Sequence, residues 1–514
     1  MSFDSRLTAS SLALLGLAFG QAHAADPMDQ PAPFAHLDEA RPAAIEASWT
    51  PLRLPTGDHI ALAGLSYYVA LDDNWGVGPS VYGAGKGNYG GIFTMGFSVQ
   101  RRWRIGVHSH VSAGLYAGAG GGLSSSALRF GGGLMLRPEL AIHNEFDHGW
   151  YSGVSWSMVR FPSGNVRGSS LGFVVGKAGN FSSFQPDDSG RPGATRSRTG
   201  FGFDEVVLFG GVLKPGSGSH DRSGNPSTGK MGTAGADLRQ YIADGSWWAF
   251  EGAGAAQGGS DGYMQLLLKA GQDWAIGGES SGVRAGAELG LGLGGGGNVD
   301  TGIGWLFTAG PSLRWQTPWG PSLHLDAGLT RSFSGSFSAP FLRVGLGLPL
   351  DKLPQTIGAG EDITGTVRTQ QLMASSQHLS SVKFKDGSSA PVTELAILMT
   401  RELTGSVYGT AQAGSAAIGH AGAYSFGLFG LGLQSPYRFS RMRFGAEVLV
   451  GAGGGGGVAV GGGAIGQAEG WLQWEGERLR LRAGIGQWRA LRGTGQSSSM
   501  YNLSVGYAFG TLAR

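Results

Sequence analysis

The sequence predicts an all-β chain, an antiparallel transmembrane β-barrel of about twenty strands built from three divergent internal repeats of about seven strands each. Three observations carry this. Residues 283–297 (VRAGAELGLGLGGGG) and 442–456 (MRFGAEVLVGAGGGG) hold Arg, Gly, Ala-Glu and a glycine run at the same offsets, and 110–122 (HVSAGLYAGAGGG) keeps the alternation and the glycines, with His110 for Arg and Gly114 for Glu. Within the unit the period is two: Val283, Ala285, Ala287, Leu289, Leu291 and Leu293 share one phase, and Arg284, Gly286, Glu288, Gly290 and Gly292 the other. Such alternation places one set on each side of a pleated strand. Finally, no later segment approaches about 18 consecutive apolar residues without charge, so a helical span is not expected; closed barrels are the other structure that pairs every backbone group inside a bilayer.

Composition agrees. The chain has 514 residues, 96 Gly and no Cys. Gly is far above the usual level of about 7 %, yet there is no G-X-Y period, which excludes collagen. Aromatic residues at 10 % and apolar residues at 41 % argue against disorder. Lys and Arg (38) nearly balance Asp and Glu (36) without a clustered basic face, so no nucleic-acid partner is expected.

The elements follow in order. Arg6, the apolar run Leu12 to Phe19 and Ala22-His23-Ala24 read as a cleaved secretory signal over 1–24. Residues 25–56, with Pro and Asp and no alternation, read as a periplasmic extension. A first β repeat spans 57–179, with strands at 58–71, 76–85, 91–100, 104–118, 128–142, 149–160 and 168–178. Its turns carry Asp72-Asp73-Asn74, Lys86-Gly87-Asn88 and Ser163-Gly164-Asn165. A second repeat spans 203–348 around an insertion at 214–239, a linker covers 349–388, and a third repeat spans 391–509. Three repeats of seven conflict with the even strand number of single-chain bacterial barrels and would flip alternate copies; a strand hidden in a linker is one resolution. The loops 179–202, 214–244 and 349–388 are long enough to plug, gate or bind.

The final strand alternates Tyr501, Leu503, Val505, Tyr507 and Phe509. It resembles the terminal strand of Gram-negative outer-membrane β-barrel proteins, which ends on alternating aromatics and serves as the assembly signal. Five residues follow Phe509, where that class usually stops. The resemblance implies the cell outer membrane as location, with membrane lipid and the barrel-assembly machinery as partners. Trp75, Trp103, Trp150-Tyr151, Trp247-Trp248, Trp274, Trp319 and Trp474 fall near strand ends, as interfacial girdles require.

Candidate lumen-lining residues are those on the polar phase: His108, His110, Arg284, Glu288, Arg314, His324, Asp326, Arg443, Glu447, Arg478, Arg480 and Arg482. Arg284 and Glu288, four apart, stand about 13 Å apart along a strand and must pair with neighbouring strands. Either such charges line a hydrated lumen and select what passes, or they form a salt-bridge ladder in a narrow, plugged barrel. His108 and His110 share a face as H-x-H, too few ligands for a metal site without His143, Glu145, Asp147 or His148, and no metal is expected. Gly224 to Lys230 (GNPSTGK) is one residue short of a phosphate loop, is followed by Met231 and opens no helix. The glycine runs at 120–122, 294–297 and 453–457 read as flexible turns.

These readings converge on a non-enzymatic barrel without cofactor, forming a passage for hydrophilic solutes or an exported polymer, with a periplasmic partner possible at the long loops. The alternative is a non-channel surface or periplasmic β-repeat scaffold. An outer-membrane hydrolase has no supporting G-x-S-x-G motif.

Overall fold

The structure is a computed structural model that describes residues 34–37, 40–278, 281–350, 363–436, 439–493 and 495–513; the signal segment 1–24 lies outside them. The chain is all-β and antiparallel, but the single barrel of about twenty strands is wrong: of the 25 strands among the described residues, all but β9 form three separate closed barrels of eight. The first barrel comprises β1 (Arg41–Arg53), β2 (His59–Ala70), β3 (Trp75–Lys86), β4 (Phe93–Arg104), β5 (Ser109–Gly121), β6 (Leu134–Glu145), β7 (Trp150–Arg160) and β8 (Arg167–Phe181), closed by β1 against β8. A short β9 (Pro192–Thr195) lies in the connection that follows. The second barrel comprises β10 (Glu205–Leu213), β11 (Met231–Ala243), β12 (Ser246–Gln257), β13 (Met264–Ala275), β14 (Val283–Gly295), β15 (Trp305–Gln316), β16 (Ser322–Ser332) and β17 (Ser338–Pro349). The third comprises β18 (Ile363–Lys383), β19 (Ser389–Glu402), β20 (Val407–Ile418), β21 (Ser425–Gln434), β22 (Met442–Gly454), β23 (Ala464–Glu475), β24 (Leu479–Ala490) and β25 (Ser497–Ala513), closed by β18 against β19 and β25. β9 pairs with the free start of β18, outside the third barrel wall.

Each expected repeat of seven lacked one strand, and the missing strand lies where no strand was expected: β1 in the presumed extension, β11 overlapping the presumed insertion, β18 in the presumed linker. Eight strands return the chain to the end where it started, so the barrels share one orientation and the parity conflict disappears. The three similar stretches are β5, β14 and β22, the fifth strand of each barrel.

The alternation sets the inside and outside of each wall. On β14, Leu289 is 58 % exposed while Glu288, its neighbour, is 1 % exposed. The apolar set faces out, and most strands, at 11 to 15 residues, exceed the roughly 9–11 needed to cross a bilayer at a tilt. Trp75, Trp103, Trp150, Trp274 and Trp319 are exposed at one end of the barrels, that of the β2–β3, β4–β5 and β6–β7 turns and their counterparts. Tyr151 and Trp247 point inward and are buried, so they do not belong to that girdle.

The inward glycines have a packing reason. Tyr151 pairs with Gly176, Trp247 with Gly271, Tyr408 with Gly432 and Trp471 with Gly445 across neighbouring strands. A Cβ on Gly271 would stand 2.3 Å from the Trp247 ring, and one on Gly176 2.1 Å from Tyr151. The ring lies flat over its partner, and only glycine leaves room for it inside an eight-stranded wall.

The glycine runs are not flexible turns. They join the barrels. Gly304, Gly463 and Gly133 each directly precede the sixth strand of a barrel, and a Cβ on them would lie 2.9, 2.0 and 2.2 Å from the carbonyl oxygens of Ala84, Ala255 and Ala416, all on the third strand of the preceding barrel. The β3–β4 loop of the first barrel donates from the Gly90 N–H to Gly302 (2.9 Å), and the β20–β21 loop of the third donates from the Gly422 N–H to Gly131 (3.1 Å). Between the second and third barrels Gly262 packs on Gly454 and Gly455. First on second, second on third and third on first, the contacts close a ring with pseudo-threefold symmetry, the single-chain form of a heterologous trimer interface.

Candidate functional site: three filled barrel interiors

Eight strands enclose an interior only wide enough for side chains to fill, and here they fill it. Every barrel has an apolar layer near the glycine-loop end and a polar cluster beyond it. The apolar layer of the first barrel contains Ile60, Leu62, Phe130, Met135 and Phe161; that of the second, Met231, Tyr263, Leu267, Leu306 and Phe337; that of the third, Leu379, Val392, Phe426, Trp488 and Met500. A void of about 10 Å³ between Leu62, Phe130 and Met135 has room for about one water.

The second barrel holds the densest charge cluster. Lys269 on β13 is fully buried, its Nζ 3.2 Å from Asp237, 3.2 Å from Glu251 and 2.9 Å from Glu288. Arg343 on β17 grips Glu251 with both guanidinium nitrogens, at 2.5 and 3.1 Å. Arg239 on β11 reaches Asp237 at 3.2 Å and stacks 4.0 Å from the Trp247 ring centre. Alternating charge in a space closed to water makes each group the counter-ion of the next; bidentate geometry such as that of Arg343 is the strongest form of this pairing. Toward the connector end, Glu205 accepts from the hydroxyls of Tyr241 (2.7 Å) and Ser322, with His324 Nε2 2.8 Å from Ser322 Oγ.

In the third barrel Glu447 accepts from the Tyr408 hydroxyl (2.7 Å) and from Arg482 (3.3 Å), and Arg482 also donates to Gln473 (3.0 Å) and lies 4.2 Å from the Trp471 ring centre. Glu475 stands 3.2 Å from Arg443 and 3.9 Å from Arg480. In the first barrel Arg137 donates to Glu139 (2.5 Å), Thr50 (2.9 Å) and Tyr82 (3.2 Å), and Tyr151 donates to Glu46 (3.0 Å). His110 and His143 stack with ring centres 4.5 Å apart, His110 Nδ1 3.3 Å from Glu145.

The candidate residues therefore fall in three separate places rather than one lumen. His110 belongs to the first barrel; Arg284, Glu288, Arg314, His324 and Asp326 to the second; Arg443, Glu447, Arg480 and Arg482 to the third. Arg284 sits at a barrel mouth, paired with Asp244 at 3.0 Å, and Arg314 donates to Gln316 at 2.8 Å beneath the Tyr241 ring. Asp326 is buried. Two expected pairings on one face do not hold. His108 is exposed in the β4–β5 turn, away from His110 on the strand. Arg478 precedes β24 and lies over Tyr507, 5.5 Å from its ring centre, apart from Arg480 and Arg482 inside.

Sequence reasoning missed Glu46, Asp237 and Arg239 because β1 and β11 were not recognised. It missed Glu251, a lone charge on the inward phase of β12, and Lys269, which shares the inward phase of β13 with Asp273, although an isolated charge among apolar and small residues is a usable signal. Glu394 on β19 was missed as well. It is buried in the apolar layer of the third barrel, and its carboxylate has no hydrogen-bond partner among the described residues. The near-phosphate-loop segment lies in the β10–β11 loop, where Asp221 accepts from the backbone N–H groups of Ser223 and Asn225, both at 2.9 Å. The backbone N–H and then the side chain of Asn225 hold the Asp221 carboxyl below its ordinary value, in a turn rather than a phosphate cradle. Among the described residues no group of three His, Cys, Asp or Glu could hold a metal ion, and no helix is long and apolar enough to cross a membrane.

No known protein family matches the chain, and no curated protein matches it. Solved structures that resemble it include the outer membrane protein OpdK of Pseudomonas aeruginosa, 11 % identical over 92 % of this chain and 100 % of that one with a TM-score of 0.22. The ferric enterobactin receptor of Pseudomonas aeruginosa is 9 % identical over 93 % and 82 %, with a TM-score of 0.29. OccAB3 of Acinetobacter baumannii is 10 % identical over 92 % and 99 %, with a TM-score of 0.21. Scores of this size carry no argument for a shared arrangement or activity. The closed antiparallel barrels, their apolar outer faces and the exposed tryptophans at one end are features of the fold itself, and outer faces of this kind suit a lipid bilayer.

Proposed function

We propose that the protein is an outer-membrane passage closed at rest, crossed only by ions and the smallest hydrophilic solutes when interior side chains move. The observation that carries this is the buried charge cluster around Lys269, with its counterparts around Arg137 and Arg482. Ionised groups at membrane depth are expensive and mark routes for charge more often than they serve packing. An exported polymer finds no room in interiors this full. A second reading, a non-channel scaffold, is favoured by the apolar layers, which interrupt every charge column near the glycine-loop end. Current through planar bilayers separates the two. The passage reading expects rare, small openings from the native protein and larger or more frequent ones from Phe130→Ala/Met135→Ala, which thins the layer of the first barrel. Silence from both, with both proteins folded, would sink the passage and leave the scaffold.

The last strand retains a proposed part in assembly. Tyr501, Leu503 and Val505 face outward, but Phe509 is buried against Phe181 and Phe201, with ring centres 5.0 and 5.7 Å away. Phe509 is then open to the assembly machinery only before the barrels close.

A further inference from the structure

The apolar layer of the third barrel holds one acid. Glu394 on β19 lies on the inward phase between Val392 and Ala396, both members of that layer, and is 0 % exposed. Across the wall it faces Gln377 on β18 and Ala416 on β20. The register identifies the same place in the other barrels. In each, the third strand carries one extra residue against the second, and the pairing resumes at an alanine: Leu62 opposite Ala84, Thr233 opposite Ala255, Glu394 opposite Ala416. The position is leucine in the first barrel, threonine in the second and glutamate in the third. Packing accepts leucine there, so packing does not call for the acid. No donor answers it either: neither carboxyl oxygen of Glu394 has a hydrogen-bond partner among the described residues. The titratable groups that face it are Tyr424 within the layer, whose hydroxyl accepts from the Trp488 ring N–H at 3.2 Å, and, on the connector side, Glu469 on β23, Glu447 on β22 and Arg482 on β24. His378, Lys383 and Arg489 on the adjoining strands are exposed outside the wall.

On its connector side the acid adjoins a polar series. Gln467 donates to Gln377 (3.4 Å), Asn502 donates to both oxygens of Glu469 (3.2 and 3.1 Å), and Arg482 and Glu447 follow. We propose that the third barrel passes protons and that Glu394 carries them across the apolar layer. This rests on the passage reading above and names its cargo. An isolated carboxylate among apolar side chains is too costly to stay ionised, so Glu394 holds its proton at rest. Acids at membrane depth are the parts from which proton relays are built. The layer around it is filled by Trp488, Phe426 and Met500, all buried. A hydrated ion needs an open bore through such a layer, whereas a proton needs only a group that binds it and lets it go. In one passage the acid O–H breaks, its proton leaves to water on the glycine-loop side, and the carboxylate takes a proton from water on the polar side. The residue ends as it began, and only O–H bonds are broken or made.

The test is decay of a pH gradient across phospholipid vesicles that hold the full-length protein, read by an entrapped pH-sensitive dye. Native protein is expected to dissipate the gradient several-fold faster than empty vesicles do. Glu394→Gln, equal in size but unable to release a proton, is expected to lose most of that excess. Thr233→Leu, at the same place in the second barrel, is expected to keep it. Infrared spectra give a second readout: the carbonyl stretch of a neutral carboxyl in the native protein is expected to be missing from Glu394→Gln. Heat-modifiable migration in electrophoresis reports folding; should Glu394→Gln not fold, Glu394→Leu, which copies the first barrel, decides. Equal decay with native protein and the Glu394 variant overturns the relay. So does decay no faster than in empty vesicles while Phe130→Ala/Met135→Ala passes ion current, and in that case the passage reading stands. Silence in both experiments removes the passage and the relay with it.

Discussion

Lys269 shows what a single side chain does in this fold. Its ammonium faces three carboxylates with no water to share the load, so the cluster stands or falls as a set. Removing one partner of a buried ion pair typically costs about 3–5 kcal/mol, because the remaining charges are left uncompensated. Lys269→Met is therefore expected to lower stability by about that amount in urea unfolding from lipid vesicles. A loss under about 1 kcal/mol would mean that water reaches the cluster. The outer face obeys the opposite rule. Leu289→Arg puts a charge into lipid and is expected to cost about 2–4 kcal/mol near the bilayer midplane. Were the inner face a hydrated lumen, Arg at Gly290 would be mild. The structure reverses that expectation: a Cβ there already meets Thr308 at 2.5 Å and Lys269 at 3.1 Å, so Gly290→Arg is expected to prevent barrel closure, seen as loss of the heat-dependent shift in electrophoresis.

At the level of strands, legibility followed contrast between the two faces. β14 and β22 read clearly because aliphatic residues alternate with charge and glycine. β1 carries Pro42 and Pro51, which mimic a loop, and its outward residues are mostly small or polar. β11 (MGTAGADLRQYIA) and β18 (ITGTVRTQQLMASSQHLSSVK) alternate small and polar residues with too little contrast to stand out, although both wall a barrel. The missing strand in each repeat was thus a matter of composition, and the parity conflict was its trace. The glycine runs were legible as glycine but not as joints, because a contact between distant segments leaves no local pattern. Gly133 gives a direct check. Its φ of 101° and the carbonyl of Ala416, 2.2 Å from where a Cβ would stand, leave valine no place. Gly133→Val is expected to speed hydrogen exchange at the Gly422 amide, which bonds to Gly131, while β5 and β20 keep their protection. Unchanged exchange at Gly422 would show that the glycine ring does not hold the first and third barrels together.

The whole molecule is three small barrels where one large one was expected, and the difference decides what the protein can do. About twenty strands in one ring would enclose an aqueous channel; the same wall divided in three encloses packed side chains. His108 and Arg478 lie outside the barrel interiors, and the candidate charges inside meet counter-ions in separate barrels rather than a shared stream of solute. The sequence carries the face of each residue through its period of two, whereas closure after eight strands depends on pairings such as β1 with β8 that join residues more than a hundred positions apart. The measurement that bears most directly on this account is single-particle electron microscopy of one full-length chain in a lipid nanodisc, viewed along the membrane normal. Three small filled rings in a triangle are expected. One wide ring around an open lumen would contradict the fold and the closed interiors together.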